Sequence, residues 1–572
     1  MVLPWPALLA AEGNPEDTRL AAHFRNYLEQ EMRRQPSLAT RLGDHRYDHL
    51  LDDLSPEAQN DLLRRTHETL DNLPKAIDYR KLSRSAQIDW EIWSNELKKS
   101  LWILKTQRPF ETDPRVFIDA TTGSVFAVLT QSTLPRERNI ENATARIAQI
   151  PKVLAAAKAS LKNPPRIYVE VAIQQNRGSI AFFEKGIFDL TGETQGSALH
   201  AACRQILPSL REFQHFLEKD LLPRASGDWR LGKERFDEKL RLELDAGVSA
   251  DEILSDAEAE AERVHREMAS ISRQLWARYF PQQPVPPDDE IGRRELIRKV
   301  VAAVSLEHGK VDELVTDAKA TVDRIRRFIR DRGILTLPDP DRCRIIEMPE
   351  FQRGFSVAYL NPAPPLDPDA SSYYAVSPPP RDWDTRRIET FLQEYNRHML
   401  QILTIHEAYP GHYVQLEYAN RHPSLIRRVY SSGVFAEGWA VYTEQMMLDQ
   451  GYGDGDLALR LNQLKFYLRA VINAILDHHM HCRGMTDDQA KDLLMNRGFQ
   501  SEGEALGKIQ RAKLSSVQLS TYFVGRMAFY RLRQKVQRQL GTAFHLGRYH
   551  EDVLQHGSIP VKYLPELMGL RE

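Results

Sequence analysis

Two histidines, His406 and His412, stand six residues apart in the run HEAYPGH, with Glu407 directly after the first. Imidazole nitrogens ligate divalent transition metals, and a carboxylate beside the first ligand is where the general base of metal-assisted hydrolysis stands. In the familiar zinc helix the two histidines are four residues apart and share one face. Six residues on an unbroken helix turn the second ring about 120° away from the first. Convergence therefore needs an interruption, and Pro410-Gly411 offers one. Proline removes an N–H and crowds the carbonyl four residues back, while glycine accepts dihedrals closed to other residues. The expected picture is a bulge: two residues loop out and His412 returns to the face of His406.

A third ligand is expected from FAEGWAVYTEQM, where Glu437 lies 25 residues beyond His412. Two imidazoles and one carboxylate leave a zinc coordination position open for water. Glu444, seven residues on and on the same helical face, is placed to accept the other N–H of a ligating histidine. Each of these residues also has a plainer role. A histidine on an apolar stripe is commonly a satisfied core residue, and a glutamate near tryptophan commonly makes a structural hydrogen bond.

The elements that would hold these residues are helices. Leu392, Tyr395, Met399, Ile402 and His406 recur at steps of three or four, which places His406 on the buried stripe of a helix spanning about 384 to 409. Further helices are expected near 17 to 34, 55 to 72, 84 to 106, 143 to 161, 196 to 219, 290 to 331, 434 to 450, 457 to 482 and 505 to 539. Ser249 and Glu252 form a capping box ahead of another long one. Between about 340 and 380, CRIIEM, FSVAYL and YYAVSP are short β-branched or aromatic runs among prolines, and predict a small antiparallel sheet. The fold class is thus mainly α. The chain reads as a single large helical catalytic unit over 1–572, made of a mostly helical half over 1–335, the sheet and proline-rich loop over 336–382, and a helical half carrying the metal residues over 383–572. The sheet would lie along the cleft and pair with an extended substrate, with Tyr359 and Tyr374 as substrate contacts.

Composition excludes several classes. With 77 Lys+Arg against 79 Asp+Glu over 572 residues the net charge is −2, so no global field recruits nucleic acid or anionic lipid. Cys203, Cys343 and Cys482 fit neither a disulfide framework nor a CxxC zinc site. No stretch is long and apolar enough for a membrane span. Val2 to Ala11 is apolar and ends in small residues like the tail of an export signal, but lacks a basic leader, so periplasmic and cytoplasmic locations both stay open. Oligomeric state stays open too, a homo-oligomer included.

The HExxPGH run and the Glu437-Gly438-Trp439-Ala440-Val441-Tyr442-Thr443-Glu444 segment together resemble the bacterial family called domain of unknown function 885. RLGDHRYDHLLDD, PPRIYVEVAIQQNRG and LLPRASGDWRLGKERFDEKLR look like segments of the same family. The resemblance implies a large helical fold with a deep cleft, similar to thimet-oligopeptidase-like and carboxypeptidase-Taq-like zinc peptidases (gluzincins). It also implies a glutamate ligand on the helix after the zinc helix, as Glu437 would be.

Two further segments map onto that pattern. Asp477-His478-His479-Met480-His481 is similar to a DxGxH stretch, with His479 in place of glycine and Met485 where tryptophan is usual. Asp477 would orient His481 or hold it protonated. His478, His479, His481 and Cys482 could instead hold a second metal or form a solvated helix face. Tyr522, Gly525 and Arg526 resemble a Y-x-x-G-K/R element. Tyr522 could donate to an oxyanion and Arg526 grip a substrate carboxylate, although the same residues also read as a core aromatic stripe with a surface charge.

The expectation is a zinc hydrolase with one Zn2+ per chain, a metallopeptidase acting on short peptides. His406, His412 and Glu437 are its ligands, Glu407 the base, Tyr522 and His481 oxyanion donors, Arg526 an anchor, and Glu444 and Asp477 supporting residues. The alternatives are a non-haem iron enzyme on the same two-His, one-carboxylate set and a non-catalytic peptide-binding protein.

Overall fold

The structure is a computed structural model and describes residues 14–348 and 358–570. The export-signal reading of Val2 to Ala11 falls outside the described residues. The expected capping box is present: Ser249 Oγ accepts from Glu252 N, and the Glu252 carboxylate accepts from Ser249 N, at the head of the Ala250–Tyr279 helix.

Chain contacts divide the protein into two compact units, and the boundary does not fall at 335. The first unit takes residues up to Lys162, Ala172–Pro223 and His422–Tyr430. Its helices Pro15–Arg34, Pro56–Ala76 and Arg84–Trp102 gather Phe24, Trp93 and Tyr430 into an aromatic core, with Phe24 edge-on to both others. The second unit takes Asn163–Val171, Arg224–Arg421 and Ser431–Glu572, and so holds every candidate site residue.

Four of the expected helical stretches are broken: 143 to 161 falls across Arg136–Ile147 and Ile150–Ser160, 290 to 331 is Glu290–Ser305 and Leu314–Asp331, and two further breaks bear on the site. The stretch from 384 to 409 is two helices, Thr385–Glu394 and Arg397–Glu407. Asn396 separates them because its side chain accepts from His398 N and Met399 N, satisfying N–H groups that a helix start leaves open. The stretch from 505 to 539 is Glu502–Leu514 and Thr521–Leu540. Between them Val517 adopts φ +70°, a conformation costly for a β-branched residue. Buried Asp477 holds it there, with Oδ1 accepting from Val517 N at 3.2 Å and Oδ2 from Ser520 Oγ at 3.0 Å.

The sheet has three strands, β1 (Cys343–Glu347), β2 (Ala358–Asn361) and β3 (Ser372–Val376), in the order β1-β3-β2. It is mixed and not antiparallel throughout. β2 runs antiparallel to β3 as a hairpin partner, whereas β1 pairs parallel to the far edge of β3. β3 inserts between the two earlier strands and leaves β2 as an edge.

The Gly433–Asp449 and Thr521–Leu540 helices pack closely because two glycines face each other at the crossing. A Cβ on Gly438 would overlap the backbone of Gly525, and one on Gly525 would overlap Gly438 and the Val434 carbonyl. This contact sets Tyr522 against Glu437. Gly525→Ala forces the helices apart, and we expect a loss of about 1–3 kcal/mol in denaturant unfolding with an unchanged m-value.

Candidate metal centre

The Arg397–Glu407 helix ends one residue after the first histidine, and a new helix, His412–Asn420, begins on the second. The expected bulge is thus a full break. Ala408 leaves the helical region at φ −117°, ψ −83°, and the amides of Ala408 and Tyr409 both reach the Thr404 carbonyl. Gly411 N donates to Ile405 O at 3.0 Å, and a Cβ on Gly411 would overlap the carbonyl oxygens of Ile405 and His406. No other residue fits there. Trp439 Nε1 donates to Pro410 O at 2.8 Å, and the Tyr409 hydroxyl is fixed on Asp341 at 2.8 Å. The result is a ring-to-ring approach of 4.8 Å between His406 and His412 at an interplanar angle of 89°.

His406, His412 and Glu437 each turn one donor atom into a common space, all within 4.8 Å of one another. Among the described residues this is the one such group of three or more ligating side chains, and His478, His479, His481 and Cys482 do not form another. Glu437 Oε2 is 3.8 Å from His406 Nε2 and 3.5 Å from His412 Nε2. Ligands about 2.0–2.1 Å from a tetrahedral zinc lie about 3.4 Å apart, so these separations fit a small divalent cation with little adjustment. Glu444 Oε1 is 2.7 Å from His406 Nδ1. That contact occupies Nδ1 and leaves Nε2 for the centre, the arrangement that a ligating histidine needs.

The electrostatics follow from burial. Glu407 is pushed up to about 7, first by burial and then by Glu437, with His412 and the Leu360 N–H opposing. Burial, then repulsion from Glu407 and Glu437, raises Glu444 well above the carboxylate range. His406 is driven down to about 3 by burial and by His412. Burial also opposes charge on His412, but its contact with Glu437 and the attraction of Glu437 and Glu407 together outweigh this and lift it.

The sheet enters through its edge: Leu360 N donates to Glu407 Oε2 at 3.0 Å. A cavity of about 950 Å³ opens over the centre, lined by Ala358, His406, Glu407, Phe466, Lys508 and Tyr522 among others. Against the upward push of burial, His412 above all, then His406 and the nearby Tyr522, hold the Glu437 carboxyl below its usual range. The Tyr522 hydroxyl accepts from Arg511 at 3.0 Å. The expected neighbourhood of Glu407, Glu437, Glu444 and Tyr522 is therefore assembled.

Five other expectations are corrected. Arg526 does not face the cavity: it donates to Glu260 Oε1 at 3.2 Å and Gln445 Oε1 at 2.7 Å, and lies 4.2 Å from the rings of Tyr467 and Tyr530. His481 is buried against Trp229 and Phe236, and its Nε2 is spent on the carbonyls of Ala512 and Ser515. Burial lowers it to about 4, so Asp477 does not hold it protonated; Asp477 anchors the turn before Tyr522 instead. Tyr374 is fully buried and bonds Thr404 Oγ1 at 3.0 Å, tying β3 to the His406 helix. Tyr359 is half-buried and, like Tyr374, is not among the cavity-lining residues. Sequence reasoning missed Arg469, Lys508 and Arg511 on the cavity wall. Their only signal was the i, i+3 spacing of Lys508 and Arg511 on a helix beside Gly507.

The chain belongs to the family described as "Bacterial protein of unknown function (DUF885)", which it matches over residues 36–568. Among solved structures it is similar to a "putative lipoprotein of unknown function" from Shewanella oneidensis. The two share 30% identity at a TM-score of 0.82, over 96% of this chain and 99% of that one. It shares the fold of a "putative lipoprotein" from Colwellia psychrerythraea at 17% identity and a TM-score of 0.76, over 97% of this chain and 98% of that one. No curated protein matches. Within the described residues no helix is long and apolar enough to cross a membrane.

Glu444→Ala removes the partner of His406 Nδ1. Competition with a chromophoric chelator should show zinc affinity falling about 10–100-fold while the far-UV circular dichroism is unchanged.

Proposed function

We propose that this protein is a zinc-dependent metallopeptidase of the gluzincin type that hydrolyses short peptides in the cavity above His406, His412 and Glu437. The observation that supports this most is the convergence of those three donors with Glu444 on the outer nitrogen of His406 and Glu407 beside them. When bound, zinc supplies a Lewis acid and makes water nucleophilic at neutral pH.

The residues then divide the work. His406, His412 and Glu437 bind the cation. Glu407 takes the proton of the attacking water and passes it to the leaving amine, and a carboxyl near 7 suits both halves of that transfer. The Leu360 N–H holds one of its oxygens and leaves the other to turn toward the water. Tyr522, on the cavity wall against Glu437, donates its hydroxyl to the oxygen on which negative charge develops. The edge strand β2 brings Ala358 to the cavity wall, which supports an extended peptide as the substrate. An exported setting agrees with the lipoprotein description of the Shewanella relative.

Elemental mass spectrometry on protein purified without chelators should give near one zinc per chain. One iron instead would favour oxygen chemistry on the same ligands. Glu407→Gln should keep the metal and lose about a hundredfold to ten-thousandfold in kcat on a peptide library, and wild-type turnover would reject the mechanism. Chelation should lower Tm, because a cation that binds only the folded chain stabilises it by mass action. Titrating zinc back should restore the midpoint in wild type and not in His412→Ala.

A further inference from the structure

Of the five cations that line the cavity, Arg386, Arg387 and Arg511 are exposed and Arg469 is ion-paired; Lys508 is the half-buried one that has no partner among the described residues. Arg469 is held by Glu504 at 2.9 Å and lies 3.6 Å from Glu394, which also takes Lys465 at 2.9 Å. Arg387 lies on the face of Trp383, 3.8 Å from its centroid. Arg511 donates to Gln518 Oε1 at 2.7 Å and to the Tyr522 hydroxyl. Lys508, one turn before Arg511 on the Glu502–Leu514 helix, lines the cavity and makes no hydrogen bond or ion pair with any described residue. Burial, then the Arg469 and Arg511 guanidinium groups, push its ammonium down to about 7.

A second observation concerns the space in front of it. Gly503 and Gly507 line the same wall, and a Cβ on either would meet nothing within 4 Å. Gly507 lies inside the helix, where glycine is the poorest former short of proline, yet neither a positive φ nor close packing calls for it. What the glycines leave is room beside Lys508. The place is also close to the metal centre, since Lys508 shares the cavity wall with His406, Glu407 and Tyr522, and Arg511 bonds Tyr522. A cavity of about 950 Å³ is in the range of small-ligand pockets and suits a short peptide end.

Building on the peptidase reading, we propose that Lys508, with Arg511 beside it, anchors the free C-terminal carboxylate of the peptide, so that the site releases short fragments from the C-terminal end. The bond cleaved is a peptide bond close before that carboxylate. Water gives its hydroxyl to the acyl carbon and its proton, through Glu407, to the amine that leaves with the anchored end. Every peptide carries this carboxylate, so the anchor selects chain ends and not side chains.

The test separates anchor from chemistry. Calorimetry on the full-length protein, with and without added zinc, would compare acetyl-Ala-Ala, its C-terminal amide, and acetyl-Ala-Glu-amide, whose only carboxylate is a side chain. The free acid should bind at least about tenfold more tightly than either amide, as a charge-assisted contact predicts. Lys508→Met should erase the difference, Lys508→Arg should restore part of it, and Gly507→Leu should block all three probes. Equal binding of acid and amide, or a preference that survives Lys508→Met, overturns the anchor. So does equal affinity for acetyl-Ala-Glu-amide, which would assign the lysine to acidic side chains. Turnover by the zinc-loaded protein is read separately. Peptides and their C-terminal amides cleaved equally well overturn the anchor and leave the peptidase standing. Acid-selective binding without cleavage of any peptide supports the anchor and overturns the peptidase.

Discussion

The segment from Glu407 to His412 has to turn two imidazoles onto one point that an unbroken helix would hold about 120° apart, and the surrounding packing is arranged for that turn. The His406 helix stops, and Gly411 passes so close under the Ile405 and His406 carbonyls that any side chain would collide with them. Trp439 takes the Pro410 carbonyl, which would otherwise be a buried acceptor without a partner. Trp439 sits two residues after Glu437 on the Gly433–Asp449 helix, so the contact that fixes the turn also registers the third ligand against the first two. The Gly438–Gly525 crossing carries the same registration on to Tyr522.

Charge gives a second, independent reason to place a cation at this point. Three glutamates, Glu407, Glu437 and Glu444, surround two imidazoles in a largely buried space. Burial and mutual repulsion push Glu407 and Glu444 up, and only Glu437 is held down, through His412. Buried carboxylates are kept together when paired or when they surround a metal. A divalent cation between His406, His412 and Glu437 would relieve the repulsion that raises the other two, stabilising ionised Glu444 as an acceptor for His406 Nδ1. The same charge would draw Glu407 toward its ionised form, the form in which it accepts a proton.

Residue type and spacing made the centre legible, because ligand chemistry is narrow: HE followed by PGH, then a glutamate with another seven residues on, admits few arrangements. The helical class and most helix positions were legible for the same reason, through periodicity. The errors have one physical origin, in that partners come from distant chain. Arg526 read as a free anchor because nothing local shows that Glu260, on the Ala250–Tyr279 helix, reaches it. His481 read as catalytic because its acceptors, the carbonyls of Ala512 and Ser515, belong to another helix end. The stops at Asn396 and Val517 were hidden inside apolar periodicity that continues through them. Lys508 was invisible for the opposite reason, since its signal is the lack of a partner among the described residues.

The edge strand β2 joins these strands of argument. Its Leu360 N–H faces away from the β3 ladder and meets Glu407, so the sheet touches the proposed general base through backbone and not through a side chain. A backbone donor at 3.0 Å can hold the carboxyl group whether it is ionised or protonated, because the bonded oxygen remains an acceptor in both states. Proton gain and loss then need no rearrangement of the strand, and the barrier to each transfer carries no reorganisation cost from that side. A side-chain donor such as lysine would behave differently, since its charge would oppose protonation of Glu407 and pull it away from a pKa near neutrality. The neutral edge N–H, the burial that raises Glu407 and the basic residues beyond Tyr522 thus separate two tasks within one cavity: a base that must change charge, and a site that holds a chain end.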